Sequence, residues 1–246
     1  MILFNGVGVI NLLNLDKTKC MHFSKSKNIS PPILKIGDKE LKYVNQFKYL
    51  GVTIDRNLRH YSHMNAIVVF LKQQQGILSR ICTFLNYKGS LLYYYAYIHS
   101  KLTYAIGAWG GALLASSNQS RRVKRIQDRI LRMLFGCYFS PDADLYKCTG
   151  ILRIDDVYRH KIVVTLYRIM FDSKIEFLYG NIQNLLFRHR YPTRNKRLMV
   201  HVIHSEIVRF NFIYRSIIEF NKLPSRLYED TSASKFSRSV KQYFRS

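Results

Sequence analysis

Basic side chains recur at helical spacing between residues 119 and 135. Residues three and four positions apart lie on the same face of a helix, and only Asp128 is acidic in this stretch. An ordinary solvated face usually mixes both signs of charge, whereas a face that binds phosphates carries one. The spacing therefore favours a helix that lies along a nucleic-acid backbone, with a solvated face as the alternative. The candidate nucleic-acid-binding residues are Arg121, Arg122, Lys124, Arg125, Arg129 and Arg132.

A second basic cluster follows in a stretch that has neither helical nor strand periodicity. Its candidate nucleic-acid-binding residues are Arg188, Arg190 and Arg194, and Tyr191 lies among them. Aromatic rings stack on bases while cations pair with phosphates, so the cluster fits a binding loop. A flexible basic loop without a ligand explains the same residues equally well.

Adjacent carboxylates occur at Asp155 and Asp156. Nucleotidyl transfer through two metal ions needs carboxylates that clamp ions about 4 Å apart. These two residues instead stand at the start of a helical apolar stripe, where they would cap the first turn and complement the helix dipole. His201 and His204 lie three residues apart, and two surface or core histidines explain this spacing better than a metal site, so we predict no metal site.

The four cysteines lie far apart in the sequence and form no Cys-x-x-Cys pair, which argues against a zinc ribbon. Their mostly apolar surroundings predict reduced, buried thiols, as in a cytosolic or nuclear protein. These residues are Cys20, Cys82, Cys137 and Cys148.

The formal net charge is +24, from 39 Lys and Arg against 15 Asp and Glu. A folded domain with this imbalance repels itself unless a polyanion neutralises it. Nucleic acid fits better than an anionic membrane surface, the other candidate, because 18 Tyr and 15 Phe lie among the cations and can stack on bases. The apolar segments 1–15 and 102–120 are too short or interrupted to span a membrane. We therefore predict an intracellular protein, cytoplasmic or nuclear, with no membrane partner.

The elements that position these residues change in type near residue 58. Alternating apolar residues on both sides of Gly37 and Asp38 predict a β-hairpin, and a further strand is predicted over residues 47–54, broken by Gly51. Beyond residue 58 the apolar period becomes helical. The predicted fold is α+β, with a small β-hairpin region followed by a mostly helical part. The predicted helices cover residues 64–85, 91–114, 119–135 and 154–171, and a last one, capped at Thr231 or Ser232, runs to Phe244.

Several blocks resemble the reverse transcriptases of non-long-terminal-repeat (LINE-type, jockey-like) retrotransposons. Residues 47–55 resemble that family's Phe-Lys-Tyr-Leu-Gly signature, and residues 14–19 resemble its Asn-x-x-Lys-Thr-Lys stretch. Residues 104–110 are similar to its thumb region. Residues 220–224 are similar to its C-terminal tail, with Phe220 where Trp is usual. The blocks occur in the family's order and span nearly the whole chain.

The resemblance implies part of a right-hand polymerase. Residues 1–57 would be the end of the palm with the primer-grip hairpin, residues 58–172 the helical thumb, and residues 173–246 a basic C-terminal extension. Lys17 would be the late-palm lysine that steers or protonates the leaving pyrophosphate. The primer-grip residues would be Phe47, Lys48, Tyr49, Leu50 and Gly51.

One departure from the family concerns catalysis. Its Tyr/Phe-Ala-Asp-Asp sequence, which would precede residue 14, is not among these 246 residues. We therefore expect a C-terminal fragment of an RNA-directed DNA polymerase, a nucleotidyltransferase, that binds an RNA–DNA template–primer but does not polymerise alone. No cofactor is expected for this chain; Mg²⁺ would belong to the intact polymerase, and the upstream polymerase segment is a second candidate partner. The alternative is a co-opted basic nucleic-acid-binding module with no role in polymerisation.

Overall fold

The computed structural model describes residues 18–23, 32–114, 118–171, 198, 212–229 and 232–245. The chain divides into two compact units, Met1–Leu58 and Arg59–Ser246. Among the described residues, the strands lie in the first unit and the helices in the second. The predicted α+β class, mostly helical, is therefore confirmed. The assignment of segments to palm, thumb and extension stays a prediction.

A short hairpin opens the described part of the first unit. Strand β1 (Lys35–Ile36) pairs antiparallel with β2 (Lys39–Glu40). Gly37 lies in the turn with φ of +60°, a left-handed conformation that glycine adopts without a Cβ clash. This hairpin was predicted, and the paired part is shorter than the alternating pattern.

A second hairpin follows in the same unit. Strand β3 (Gln46–Tyr49) pairs antiparallel with β4 (Val52–Asp55). Leu50 and Gly51 connect the strands with φ of +44° and +81°, and two positive φ values in a two-residue loop fit a type I′ turn. The strand predicted over residues 47–54, with its break at Gly51, forms two paired strands instead of one, because the chain reverses direction at Leu50 and Gly51.

The second unit contains nine described α-helices and several shorter turns. The helices predicted over residues 64–85, 119–135 and 154–171 and the final helix are confirmed. Ser232 caps the final helix, since its hydroxyl accepts a hydrogen bond from the Lys235 backbone N–H at 3.3 Å. The helices are α1 (Tyr61–Ile81), α2 (Tyr87–Tyr93), α3 (Ser100–Thr103), α4 (Ile106–Trp109), α5 (Asn118–Phe135), α6 (Leu145–Thr149), α7 (Ile154–Phe171), α8 (Phe212–Asn221) and α9 (Ala233–Tyr243).

The predicted continuous helix over residues 91–114 is wrong. The segment Tyr94–His99 is π-helical, and Ala105 takes a left-handed φ of +49°, which ends α3 and starts α4 in a new direction. The Trp109 indole Nε1 donates to the Tyr104 carbonyl at 2.9 Å and fastens this bend. An unbroken apolar stretch gives no periodic signal at these breaks, so the sequence pattern does not show them.

The cysteine prediction is only partly correct. All four thiols are free, but Cys137 and Cys148 are exposed, and Cys20 and Cys82 are half-buried. Cys137 lies in a 3₁₀ turn after α5, and Cys148 lies on the short helix α6. Apolar neighbours in sequence did not predict burial, because short elements cover few of their own residues.

Helix α7 is central to the second unit and packs against α8, α9 and α4, while α1 packs against α5. At its C-terminal half, the Tyr167 ring stacks on Phe236 of α9, with ring centroids 4.0 Å apart and planes 14° apart. At its N-terminal half, the fully buried Tyr158 lies against the backbone of Gly110. The absence of a Cβ at residue 110 allows this close approach.

Substituting Gly110 by alanine is expected to destabilise the protein. The new Cβ would lie 2.3 Å from Cδ2 of Tyr158 and 2.8 Å from its Cγ, and a buried ring cannot move aside freely. Overpacking of this kind costs about 1–3 kcal/mol, measured as the change in the free energy of unfolding in urea.

The matched control is Gly76→Ala on the exposed side of α1, where an added Cβ meets nothing within 4 Å. That change is expected to stabilise α1 by about 1 kcal/mol, since alanine is the better helix former. Equal effects of the two substitutions would contradict the close packing at Gly110.

Candidate nucleic-acid interface

Helix α5 separates an apolar side from an arginine side. Val123, Ile130 and Leu134 are buried on one side, and five exposed arginines occupy an arc of about 100° on the opposite side. These arginines extend over about 16 Å of helix at 1.5 Å per residue. We call them the arginine face: Arg121, Arg122, Arg125, Arg129 and Arg132.

Most of the arginine face has no partner among the described residues. Within the described part of the chain, Arg121, Arg122, Arg125 and Arg129 make no ion pair or hydrogen bond through their side chains. Arg132 Nη1 donates to the Pro141 carbonyl at 3.4 Å. Guanidinium groups that are not neutralised within the fold keep their charge and donors for an external anion, and they match phosphate oxygens in a planar, forked geometry.

Lys124 differs from the arginines predicted with it. Its Nζ donates to Asp155 Oδ2 of α7 at 3.1 Å, and the two side chains are 38% and 16% exposed. Lys124 thus lies beside the arginine face, but its ammonium group is paired with a carboxylate of a neighbouring helix. This ion pair holds α5 against the start of α7.

The buried Gln127 fixes the rotation of α5 from the other side. Its Nε2 donates to Tyr94 Oη at 2.9 Å and to the Leu152 carbonyl at 3.2 Å. Its Oε1 accepts from the first backbone N–H of α7, that of Ile154, at 3.1 Å. Burial raises the pKa of Tyr94 above its ordinary value, so the phenol stays neutral. A polar residue on an apolar helix face is the one sign of this role in the local sequence pattern.

Asp155 and Asp156 lie in the first turn of α7, at the predicted helix start. Arg159 Nη1 lies 2.7 Å from Asp156 Oδ1 and 3.8 Å from Asp155 Oδ2. Partial burial and the charge of Asp155 raise the pKa of Asp156 above its ordinary value, and Arg159 opposes that shift. Both carboxylates therefore neutralise cations of their own chain, which does not fit a Mg²⁺ clamp. Among the described residues, no group of three His, Cys, Asp or Glu side chains could hold a metal ion.

The β3–β4 hairpin presents aromatic side chains to solvent. Phe47 and Tyr49 alternate with Lys48 along β3, so the two rings share one face of the strand. Phe47 is 42% exposed, Tyr49 59% and Leu50, in the turn, 72%. Exposed rings beside a lysine can stack on bases while the ammonium pairs with a phosphate.

Four predicted site residues lie outside the described residues. They are Lys17, Arg188, Arg190 and Arg194. Their assignment as a late-palm lysine and a basic binding loop stays a prediction.

A comparison with curated proteins finds a distant relative. Over 191 residues the chain is 24% identical to the probable RNA-directed DNA polymerase from transposon X-element of Drosophila melanogaster. The chain is similar to a reverse transcriptase. The match covers 75% of this chain and 20% of that protein, so the chain corresponds to a minor part of the relative. No protein-family profile matches the chain, and no solved structure matches it.

The similarity supports the resemblance found in the sequence at the level of RNA-directed DNA polymerases. The jockey-like subgroup and the position within the polymerase stay predictions. None of the helices in the described part of the chain is long and apolar enough to cross a membrane.

Two neighbouring substitutions on α5 should separate structure from binding. Lys124→Gln removes the ion pair to Asp155 and is expected to lower the free energy of unfolding by about 1 kcal/mol. Arg125→Gln removes a cation that has no partner among the described residues, and it is expected to leave stability unchanged. Urea unfolding of both variants measures these changes. A larger loss of unfolding free energy for Arg125→Gln than for Lys124→Gln would contradict the structural role of Lys124.

Proposed function

We propose that this chain is part of a retrotransposon RNA-directed DNA polymerase and holds the backbone of an RNA–DNA template–primer on the arginine face of α5. The observation that carries the proposal is the row of four exposed guanidinium groups without partners in the described structure. An ordinary solvated face would pair or alternate its charges, whereas this face is left positive within a chain that is already strongly basic.

The chemistry of the duplex supports this function. An RNA–DNA hybrid is A-like, and its deep, narrow major groove cannot be read by side chains. Proteins therefore hold such a duplex through phosphates and sugars, for which arginine is suited. A straight helix with guanidinium groups along about 16 Å can follow one strand without sequence preference. The similarity to the X-element polymerase agrees with a ligand of this kind.

The β3–β4 hairpin would serve as the primer grip. Its residues Phe47, Lys48 and Tyr49 combine exposed rings with a cation on a strand that a tight turn at Leu50 and Gly51 terminates. Such a hairpin can contact the terminal nucleotide of a primer through stacking and a phosphate contact. This role rests on the sequence resemblance together with the exposure of the two rings.

The proposed function also assigns roles outside the described residues. Lys17 would approach the leaving pyrophosphate in the assembled polymerase, and Arg188, Arg190 and Arg194 would supply further phosphate contacts. Mg²⁺ would act on aspartates that these 246 residues do not supply in the family's Asp-Asp sequence, so no catalytic step is assigned to this chain alone.

The purified chain is expected to bind a primer–template with a steep salt dependence. Each arginine that neutralises a phosphate contributes about one to the slope of log affinity against log salt concentration. The double variant Arg121→Gln, Arg129→Gln should therefore lower that slope by about two, measured by fluorescence anisotropy across a salt series. The control is Arg80→Gln, which removes an exposed arginine from α1 and should leave the slope unchanged.

The choice of ligands in that titration separates the alternatives. Stronger binding to a recessed RNA–DNA primer end than to a blunt DNA duplex supports the polymerase fragment. Equal affinity for both supports a general basic nucleic-acid-binding module. Equal binding to anionic vesicles, or an equal effect of the Arg80 control, would show that the arginine face is only generic charge.

The chain alone is not expected to extend a primer. The expectation follows from the missing Tyr/Phe-Ala-Asp-Asp sequence of the resembled family. The assay is incorporation of labelled nucleotides on a primer–template with Mg²⁺, with an active reverse transcriptase as the positive control. Metal-dependent extension that purifies with this chain would overturn it.

A further inference from the structure

A cleft of about 510 Å³ opens beside the C-terminal half of α5. Its lining combines Arg125, Arg129 and Arg132 of α5 with Tyr146 of α6, Arg153 and Asp142. Sites for small organic ligands occupy about 300–1,000 Å³, so the cleft is large enough for one nucleotide.

The arginines on one wall can hold a phosphate. Arg125 and Arg129 are one helical turn apart, and neither has an ion-pair partner among the described residues. Two guanidinium groups at that spacing can converge on the oxygens of a single phosphate group. Both belong to the arginine face, so this phosphate site adjoins the surface on which we propose that the nucleic-acid backbone lies.

The opposite wall offers a flat cation for stacking. The Arg153 guanidinium lies over the Tyr146 ring, 4.5 Å from its centroid. Tyr146 is held in place because its Oη donates to Asp128 Oδ1 at 2.6 Å, and burial raises the pKa of Tyr146 well above its ordinary value, which keeps the donor proton. The Arg153 side chain remains 54% exposed. One face of the Arg153 guanidinium lies on the Tyr146 ring, and the opposite face can stack on a base.

The rim of the cleft favours a base over a bare phosphate. Asp142 is exposed and makes no ion pair within the described residues, whereas Asp144 caps α6 and lies 3.8 Å from Arg153. A free carboxylate repels a second phosphate but accepts a hydrogen bond from an exocyclic amino group of a base. A duplex pairs those amino groups, so an unpaired base fits this rim better.

We propose that this cleft holds one unpaired nucleotide of a single-stranded overhang, with its phosphate on Arg125 and Arg129 and its base stacked on Arg153. The inference rests on the proposed function, because it places the overhang where a duplex strand leaves the arginine face. It adds a preference for the single-stranded part of a template–primer to the general affinity for its backbone.

The test compares two labelled RNA–DNA duplexes of equal length, one blunt and one with a short single-stranded overhang. The full chain is expected to bind the overhang duplex more tightly. Arg153→Lys retains the charge near Asp144 but removes the flat guanidinium. It should lower affinity for the overhang duplex by about tenfold, the effect of one lost stacking contact, and leave the blunt duplex unchanged.

Two further measurements separate binding in the cleft from binding along the arginine face and from misfolding of the variants. Arg121→Gln, on the arginine face but outside the cleft, should weaken binding of both duplexes equally. Circular dichroism of Arg153→Lys checks that the protein as a whole remains folded, and Arg153→Gln provides a second variant with the same expected selectivity.

Several outcomes would overturn the inference. If the two Arg153 variants affect both duplexes equally, or neither, the cleft does not hold an overhang nucleotide even though the backbone interface stands. If a free nucleoside monophosphate displaces the overhang without affecting the blunt duplex, the cleft takes a free nucleotide instead. If the unaltered chain binds neither duplex, the proposed function itself fails.

Discussion

The orientation of the arginine face depends on ion pairs around the first turn of α7. Asp155 accepts a hydrogen bond from Lys124 of α5. Arg159, one turn further along α7, also pairs with Glu219 of α8, with 3.5 Å between Arg159 Nε and Glu219 Oε2. Glu219 is buried and also lies 2.7 Å from Lys222 Nζ. Without these partners, the buried Glu219 carboxylate would be an uncompensated charge in a poorly solvated place. Asp155 and Glu219 are therefore used where helices meet, and the outer side of α5 is left positive.

This division of charge reconciles a folded chain with a net charge of +24. Like charges spread over a surface oppose compaction, and the fold tolerates them because its cohesion comes from elsewhere. The apolar contacts of α1 with α5 and of α7 with α8 and α9 supply that cohesion, with buried rings such as Trp109 and Phe236. The cations that need no internal partner can then remain available to a polyanion.

The sequence predicted what periodicity and capping determine locally. It located α5 and α7 because their apolar residues recur at helical spacing, and it located the cap at Ser232. It missed the bend at Ala105, where a left-handed residue is set by tertiary packing around Trp109 and not by the residue type. It missed Gln127, Tyr146 and Arg153 as well. The roles of Gln127 and Tyr146 arise from contacts with residues 18 to 33 positions away. The role of Arg153 arises from its contacts with Tyr146 and Asp144 across a turn, and no periodic pattern encodes either kind of contact.

The close approach of Gly110 and Tyr158 has an evolutionary consequence. A side chain at position 110 is compatible with the fold only if position 158 carries something smaller than a tyrosine ring. The two sites are therefore coupled, and neither can drift alone without passing through a poorly folding intermediate. Among homologous sequences that accumulate changes without selection, a mismatch at this pair would mark a product that no longer folds well.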